Sequence, residues 1–241
     1  YAHWSKSTDV AEMNGVTYNT IQAAINTAPA NTPTTITVLK DATESLSVNS
    51  DKEITLDLND HTLKNNGNYP AILNHGDLTV TGGLITANAA HAAINQESGT
   101  LNVNARITVT TERQAIYITG GYVHIYGDSY ITASAVETTS NTTTLRSTVQ
   151  CMENCTLLIT GGTIIGNKQQ AITNIGNMTI GTKDGNASQS NPVIRGEKMG
   201  ILNTGTFNFY DGIVQGKDEA INGTVTDTET TLDDGTVQID G

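Results

Sequence analysis

"AILNHGDLTVTGGLITAN", residues 71–88, sets an apolar phrase, an asparagine, a glycine turn, an alternating strand and a second glycine turn in one sweep. Much of it returns at Ala171 (AITNIGNMTI) and Gly200 (GILNTGTFNFYDGIVQGK), with nearly every residue between the anchors changed. Internal repetition of this kind decides a fold before local propensity does. Anchored on the apolar-x-apolar pairs Leu78/Val80, Leu101/Val103, Val123/Ile125, Leu157/Ile159, Met178/Ile180 and Phe207/Phe209, the steps are 23, 22, 34, 21 and 29 residues. The basic period is about 22, and the two long steps carry polar, turn-rich excess at 133–148 and 181–192, which reads as loops thrown out from a regular coil.

Within a coil, Leu78 and Val80 alternate with Thr79 and Thr81, so one side of the strand is buried and the other solvated. Leu158 is the apolar exception on the outer side. Upstream of each pair stands another short apolar phrase at Ile72, Ile94, Ile116, Ile172 and Ile201. Downstream comes a glycine turn and a third phrase such as Leu84/Ile85, Ile164/Ile165 or Ile213/Val214, giving three strands per coil. One such coil cannot bury its apolar side; stacked coils at about 4.8 Å spacing bury a continuous core and complete one another's hydrogen bonds. The asparagines closing the first phrase, Asn74, Asn174, Asn203 and Asn222, are expected to stack as a ladder at one bend, with Thr119 and Glu153 in that place in other coils.

The segment NTIQAAINTAP, 19–29, spaces Ile21, Ala24, Ile25 and Ala28 as a short amphipathic helix, with Asn19 and Gln22 as its capping pair and Pro29 as its stop. Its place is over the exposed edge of the first coil. The expected organisation is an all-β chain, residues 1–241, forming one single-stranded parallel β-helix with an N-terminal capping α-helix: 14–30 as the cap region and 31–241 as coils. TLDDGTVQIDG, 231–241, still reads as coil, so the chain is expected to continue past Gly241; without a leading Met it reads as a piece of a longer protein.

The opening GVTYNTIQAAINTAP (15–29), TTITVLKDATESLSV (34–48) and ITLDLNDHTL (54–63) resembles the start of right-handed parallel β-helix domains of the pectin lyase-like superfamily. It is especially similar to modules of large secreted and wall-attached proteins of Gram-positive gut bacteria, and the resemblance extends over roughly 14–241. It implies a right-handed solenoid and a secreted or cell-surface location. It leaves function to the site, because that fold carries pectin-active enzymes, adhesins and plain stalks alike.

Twelve basic against 24 acidic residues leave a formal charge of −12, which argues against a nucleic acid or an anionic membrane surface as partner. No apolar run approaches the roughly 20 residues that span a bilayer. Cys151 and Cys155 (CMENC) are open between a disulfide across a turn and small buried thiols; a metal or redox site needs a different ligand set or spacing. The carboxylate candidates are Asp57 with Asp60, Asp211 with Asp218 and Glu219, and Asp233 with Asp234, with Arg195 and Lys198 as the nearest bases. Asp-Gly is good turn chemistry, with a calcium contact near Asp211 and Asp234 as the functional alternative. Of the histidines, His3, His61, His75, His91 and His124, none is spaced to form a zinc site.

The strongest binding candidates are aromatic. Tyr117, Tyr122, His124, Tyr126 and Tyr130 fall in one coil, and Tyr210 shares the outward column of Tyr126. Exposed rings on a flat sheet are what sugar rings or a protein partner stack against. The sequence therefore predicts a non-catalytic, cofactor-free, adhesin-like module, monomeric within a larger chain, that binds a host glycan or glycoprotein, mucin and secreted antibody among them. The alternatives are a pectate lyase-like or polygalacturonase-like enzyme and a structural spacer.

Overall fold

The computed structural model describes residues 8–67, 69–87, 91–136, 146–183, 192–228 and 236–237. They form a parallel β-solenoid of about 7 turns with roughly 23 residues per turn. Each turn lays one strand on each of three faces. Face 1 stacks Leu46–Val48, Ile72–Asn74, Ile94–Gln96, Ile116–Ile118, Val149–Cys151, Ile172–Asn174, Met199–Asn203 and Glu219–Asn222. Face 2 stacks Pro33–Val38, Glu53–Asp57, residues 77–81 and 100–104, Gly121–Ile125, Cys155–Ile159, Asn177–Ile180, Thr206–Phe209 and Asp227–Thr228. Face 3 stacks Ala42–Thr43, Thr62–Lys64, residues 84–86 and 106–109, Tyr130–Ala133, Thr163–Gly166, Val193–Gly196, Ile213–Gly216 and Thr236–Val237.

Parallel pairing at constant register puts like on like. Ile72, Ile94, Ile116, Val149, Ile172 and Ile201 stand in one column of face 1. Leu56, Val80, Val103, Ile125, Ile159, Ile180 and Phe209 do the same on face 2. All of these are buried within one continuous apolar cluster. Burying one such side chain contributes about 1.5–3 kcal/mol, and only the stack, never one coil, can supply it.

The ladder at the bend between faces 1 and 2 differs from the sequence expectation. The register places Asn74, Gln96, Ile118, Cys151, Asn174 and Asn203 in that column, so Thr119 and Glu153 lie outside it. Asn222 is one position off: it pairs with Leu202, and its exposed amide donates to Glu219 Oε2 at 2.7 Å. The carboxamides of the ladder are matched to corner length, with Ile118 as the exception. Two residues make the corner after Asn74, Asn174 and Asn203; three follow Gln96 and Ile118; four follow Val48 and Cys151. In the short corner the carboxamide reaches polar backbone directly: Asn74 Nδ2 donates to Gly76 O (3.0 Å) and to Thr100 O of the next coil (3.0 Å). With one residue more, Gln96, longer by a methylene, spans the gap and donates to Ser98 O and Gly99 O. Gly76, Gly176 and Gly205 in these short corners have no room for a side chain, since a Cβ would meet a carbonyl oxygen of the preceding coil at 2.3, 2.5 and 2.2 Å.

Cys151 and Cys155 are free buried thiols, not a disulfide. Their mutual hydrogen bond is the main influence on both: it pushes Cys151 far up, helped by burial, and brings Cys155 down. The Cys155 Sγ lies 3.2 Å from Ile118 O.

The N-terminal edge is closed in two ways. An antiparallel hairpin, Ala11–Met13 with Val16–Tyr18, pairs its first strand antiparallel to Pro33–Val38, an element the repeat reading did not contain. The helix α1, Ile21–Thr27, then covers the end of the core with Ile21, Ala24 and Ile25. Its N-cap is Thr20, whose hydroxyl accepts from Ala23 N at 3.0 Å; Asn19 instead accepts from Thr8. Glu44 of the coil beneath accepts from Ile21 N and Gln22 N. The Gln22 carboxamide accepts from Ser47 N (2.7 Å) and donates to Ser47 O (3.1 Å), satisfying the edge strand as a neighbouring strand would. The loops expected at 133–148 and 181–192 lie partly, and Asp233 and Asp234 wholly, outside the described residues. Among the described residues no helix is long and apolar enough to cross a membrane.

Two stability outcomes follow. Asn174→Leu strands the buried acceptors Asn203 Oδ1 and Thr206 O and is expected to cost about 2 kcal/mol or more in urea denaturation, whereas exposed Asn222→Ala should stay within about 0.5 kcal/mol. Gln22→Ala frees both polar groups of Ser47 and should cost about 1–3 kcal/mol. Equal effects of the two asparagine variants would refute the ladder account.

Candidate functional site

The six aromatic candidates do not form one patch. Tyr122, His124 and Tyr126 project in a row from face 2, Tyr117 projects from face 1, and Tyr130, 41% exposed, opens face 3. A coil carries its chain around the whole solenoid, so sharing a coil is not sharing a surface. Tyr210 stands in the column of Tyr126, as the alternation requires, but Thr160 and Gly181 intervene. Three coil spacings, roughly 14 Å, separate the two rings. Lys183 Nζ sits 5.7 Å from the centre of the Tyr210 ring.

The row on face 2 is therefore the coherent aromatic unit. Thr100, Asn102 and Asn104 border it on one side and Thr156, Leu158 and Thr160 on the other. His124 and Tyr126 stack with ring centres 5.0 Å apart and planes 27° apart, and His124 Nε2 lies 2.8 Å from Thr160 Oγ1 of the next coil. Half-buried Leu158, paired in register with His124, gives the imidazole an apolar neighbour. Desolvation lowers the pKa of His124 and raises that of Tyr122. Both rings are thus held neutral around physiological pH, which suits stacking better than charge pairing.

A second concave feature lies at the corner between faces 2 and 3. Its origin is corner length. Residues 58–61 make one corner, Gly82 and Gly83 the next, Ala105 alone the third, and residues 127–129 the fourth. Two tight corners between two long ones leave a groove of about 500 Å³, with Asp60 and Asp128 at its rims and Thr62, Asn104 and Arg106 along it. Gly82 and Gly83, both at positive φ (63° and 51°), let the tight corner run against the long one; a Cβ on Gly83 would lie 2.3 Å from His61 O. Asn104 Oδ1 accepts from Asp128 N at 3.2 Å and holds the far rim. The two rim carboxylates stand three coil spacings apart, roughly 14 Å at the backbone.

The other candidates are dispersed. Asp211 is buried at the corner between faces 2 and 3 against Gly181, while Asp218 lies at the corner between faces 3 and 1 and Glu219 opens the face 1 strand after it. Arg195 is exposed on face 3 and Lys198 at the corner after it. His61 lies 3.7 Å from Asp41, and His75 3.4 Å from Glu97 of the next coil. Among the described residues no group of three or more His, Cys, Asp or Glu could hold a metal ion. Tyr69, 64% exposed, and His91 stack with ring centres 6.4 Å apart, a pair absent from the sequence candidates. The groove was also absent from them, although its signal, unequal corner length between apolar phrases in register, can be counted once the coils are aligned.

Comparison of the chain with protein-family models, with curated proteins and with solved structures returns no match. The architecture and the side chains on it therefore carry the functional argument.

The lowered His124 pKa predicts a pH dependence with a definite sign. The unfolded chain binds a proton near the ordinary imidazole value of 6.5 while the folded one resists it, so the contribution is present above that value and lost as pH falls through it. Denaturation midpoints measured across this range should fall on the acid side, and His124→Asn should flatten that part of the profile. An unchanged slope in the variant would contradict the assignment.

Proposed function

We propose that this β-solenoid is a non-catalytic binding module of a secreted or cell-surface bacterial protein, adhesin-like in role, that presents face 2 to a host glycan or glycoprotein. Membership of the pectin lyase-like superfamily is part of this reading and rests on the resemblance carried by residues 15–63. The observation that carries the function is the row Tyr122, His124 and Tyr126, set across a flat strand surface with polar Thr and Asn on either side. Flat sheets display rings edge-on or face-on at fixed spacing, and neutral rings flanked by hydroxyls and carboxamides offer stacking and hydrogen bonds together. A coil stack also suits presentation, since strand positions are rigid while outward residues vary freely.

Incubation with polygalacturonate and calcium that raises the ultraviolet absorbance of an unsaturated product would overturn the non-catalytic reading in favour of a lyase.

The direct test is binding of immobilised mucin-type glycoprotein by surface plasmon resonance. Each ring of the row contributes about 0.5–1.5 kcal/mol to a stacking contact. Tyr122→Ala with Tyr126→Ala should therefore weaken binding by roughly five- to a hundredfold at an unchanged melting temperature. No binding by the parent protein to glycoproteins or glycans would leave the chain a spacer.

A further inference from the structure

We propose that the corner groove between faces 2 and 3 is a binding site for an uncharged oligosaccharide, separate from the row on face 2. The assignment deepens the glycan-binding reading and rests on it, but it names a different surface and restricts the class of sugar.

The first argument is shape. Neither rim is a mobile loop: residues 58–61 and 127–129 are corners between paired strands, and each is tied to its neighbour by backbone and side-chain hydrogen bonds. Asn59 Nδ2 donates to Val38 O, and Ser129 Oγ donates to Val103 O, fixing the two ends to the coils below them. The groove is therefore preformed, and a ligand entering it loses little to reordering of the protein.

The second argument is chemistry. Asp60 and Asp128 offer acceptors from the rims, Arg106 offers a planar donor from the floor, and among the described residues no salt bridge engages any of the three. A carboxylate at each end and a guanidinium between them match a chain of hydroxyls and ring oxygens.

Charge then selects among ligands. The groove carries one more negative than positive side chain, on a protein of formal charge −12, so uronate, sulfate and sialate are repelled. A single bridging cation is excluded by reach, since carboxylate oxygens bind calcium at about 2.3–2.6 Å and the rims are roughly 14 Å apart. An apolar ligand would strand the two carboxylates. What remains is an uncharged polyol long enough to touch both rims. Tyr130 lies outside the groove lining but next to it: it is exposed, pairs in register with Arg106 on the adjacent strand, and offers a flanking platform for the apolar face of a sugar ring.

The experiment is a panel of immobilised oligosaccharides, half composed of neutral hexose and N-acetylhexosamine units and half bearing uronic, sulfated or sialic groups. It is read with the parent protein, with Arg106→Ala and Asp128→Asn, and with Tyr122→Ala/Tyr126→Ala. All of these groove residues are exposed, and melting temperatures verify that each variant is folded. The expected result is a set of ligands, all neutral, whose binding is weakened about tenfold or more by either groove variant through loss of a charge-assisted hydrogen bond and altered less than about threefold by the row variant, while ligands held on face 2 respond in the opposite way. Loss in the row variant with no change in the groove variants would overturn the groove assignment and keep the glycan reading. Binding confined to acidic members would overturn the ligand class. A blank panel from the parent protein would overturn both.

Discussion

Between its two ends, each described strand of the solenoid is hydrogen-bonded to the equivalent strand one coil earlier and one coil later, at constant register along each of the three faces. That pairing fixes the spacing of the coils and leaves no freedom along the strands. Any residue added to a coil has to be absorbed at a corner. Corners therefore hold the variation of the molecule, and the strands hold its sameness.

The bend between faces 1 and 2 shows how this constraint selects residues. A corner turns backbone polar groups toward the core, and a buried polar group without a partner costs about 1–3 kcal/mol. Asn reaches those groups when two residues make the corner, Gln96 reaches them in one of the two three-residue corners while Ile118 stands at the other, and Val48 or Cys151 appears when four residues make the corner. The N-terminal edge obeys the same accounting of polar groups. Gln22, from a helix, supplies the donor and acceptor that Ser47 would otherwise find in a neighbouring strand. At the bend between faces 2 and 3 the same constraint works in reverse: corners of unequal length cannot be evened out, and the groove bounded by Asp60 and Asp128 is the residue of that mismatch.

Two kinds of surface thus arise from one architecture. Face 2 is flat because its strands are paired without interruption, and the row Tyr122, His124 and Tyr126 gains its arrangement from period-2 alternation alone. The corner groove is concave because it is made of backbone that strand pairing does not control. Stacked rings and a polar trough favour the same broad class of partner by different forces. The first relies on dispersion and desolvation, the second on directed hydrogen bonds.

Alternation and repeat spacing were enough to read the three strands per coil, the inward columns, the terminal helix and the outward position of His124. Those properties depend on side-chain periods of 2 and 3.6, which are local. The same reading assigned Asn222 to the ladder, Asn19 to the helix cap and six aromatics to one patch, and in each case the missing quantity was register between coils or direction around the axis. A shift of one residue moves Asn222 from the buried column to the surface, and no local pattern reports it. The hairpin at Ala11–Met13 and the free thiols of Cys151 and Cys155 likewise depend on which segments meet, which is decided when the coils close on one another. The sequence by itself determined what must be inside. The tertiary structure decided what stands next to what on the outside, because outward residues are constrained only by the neighbours that stacking brings to them.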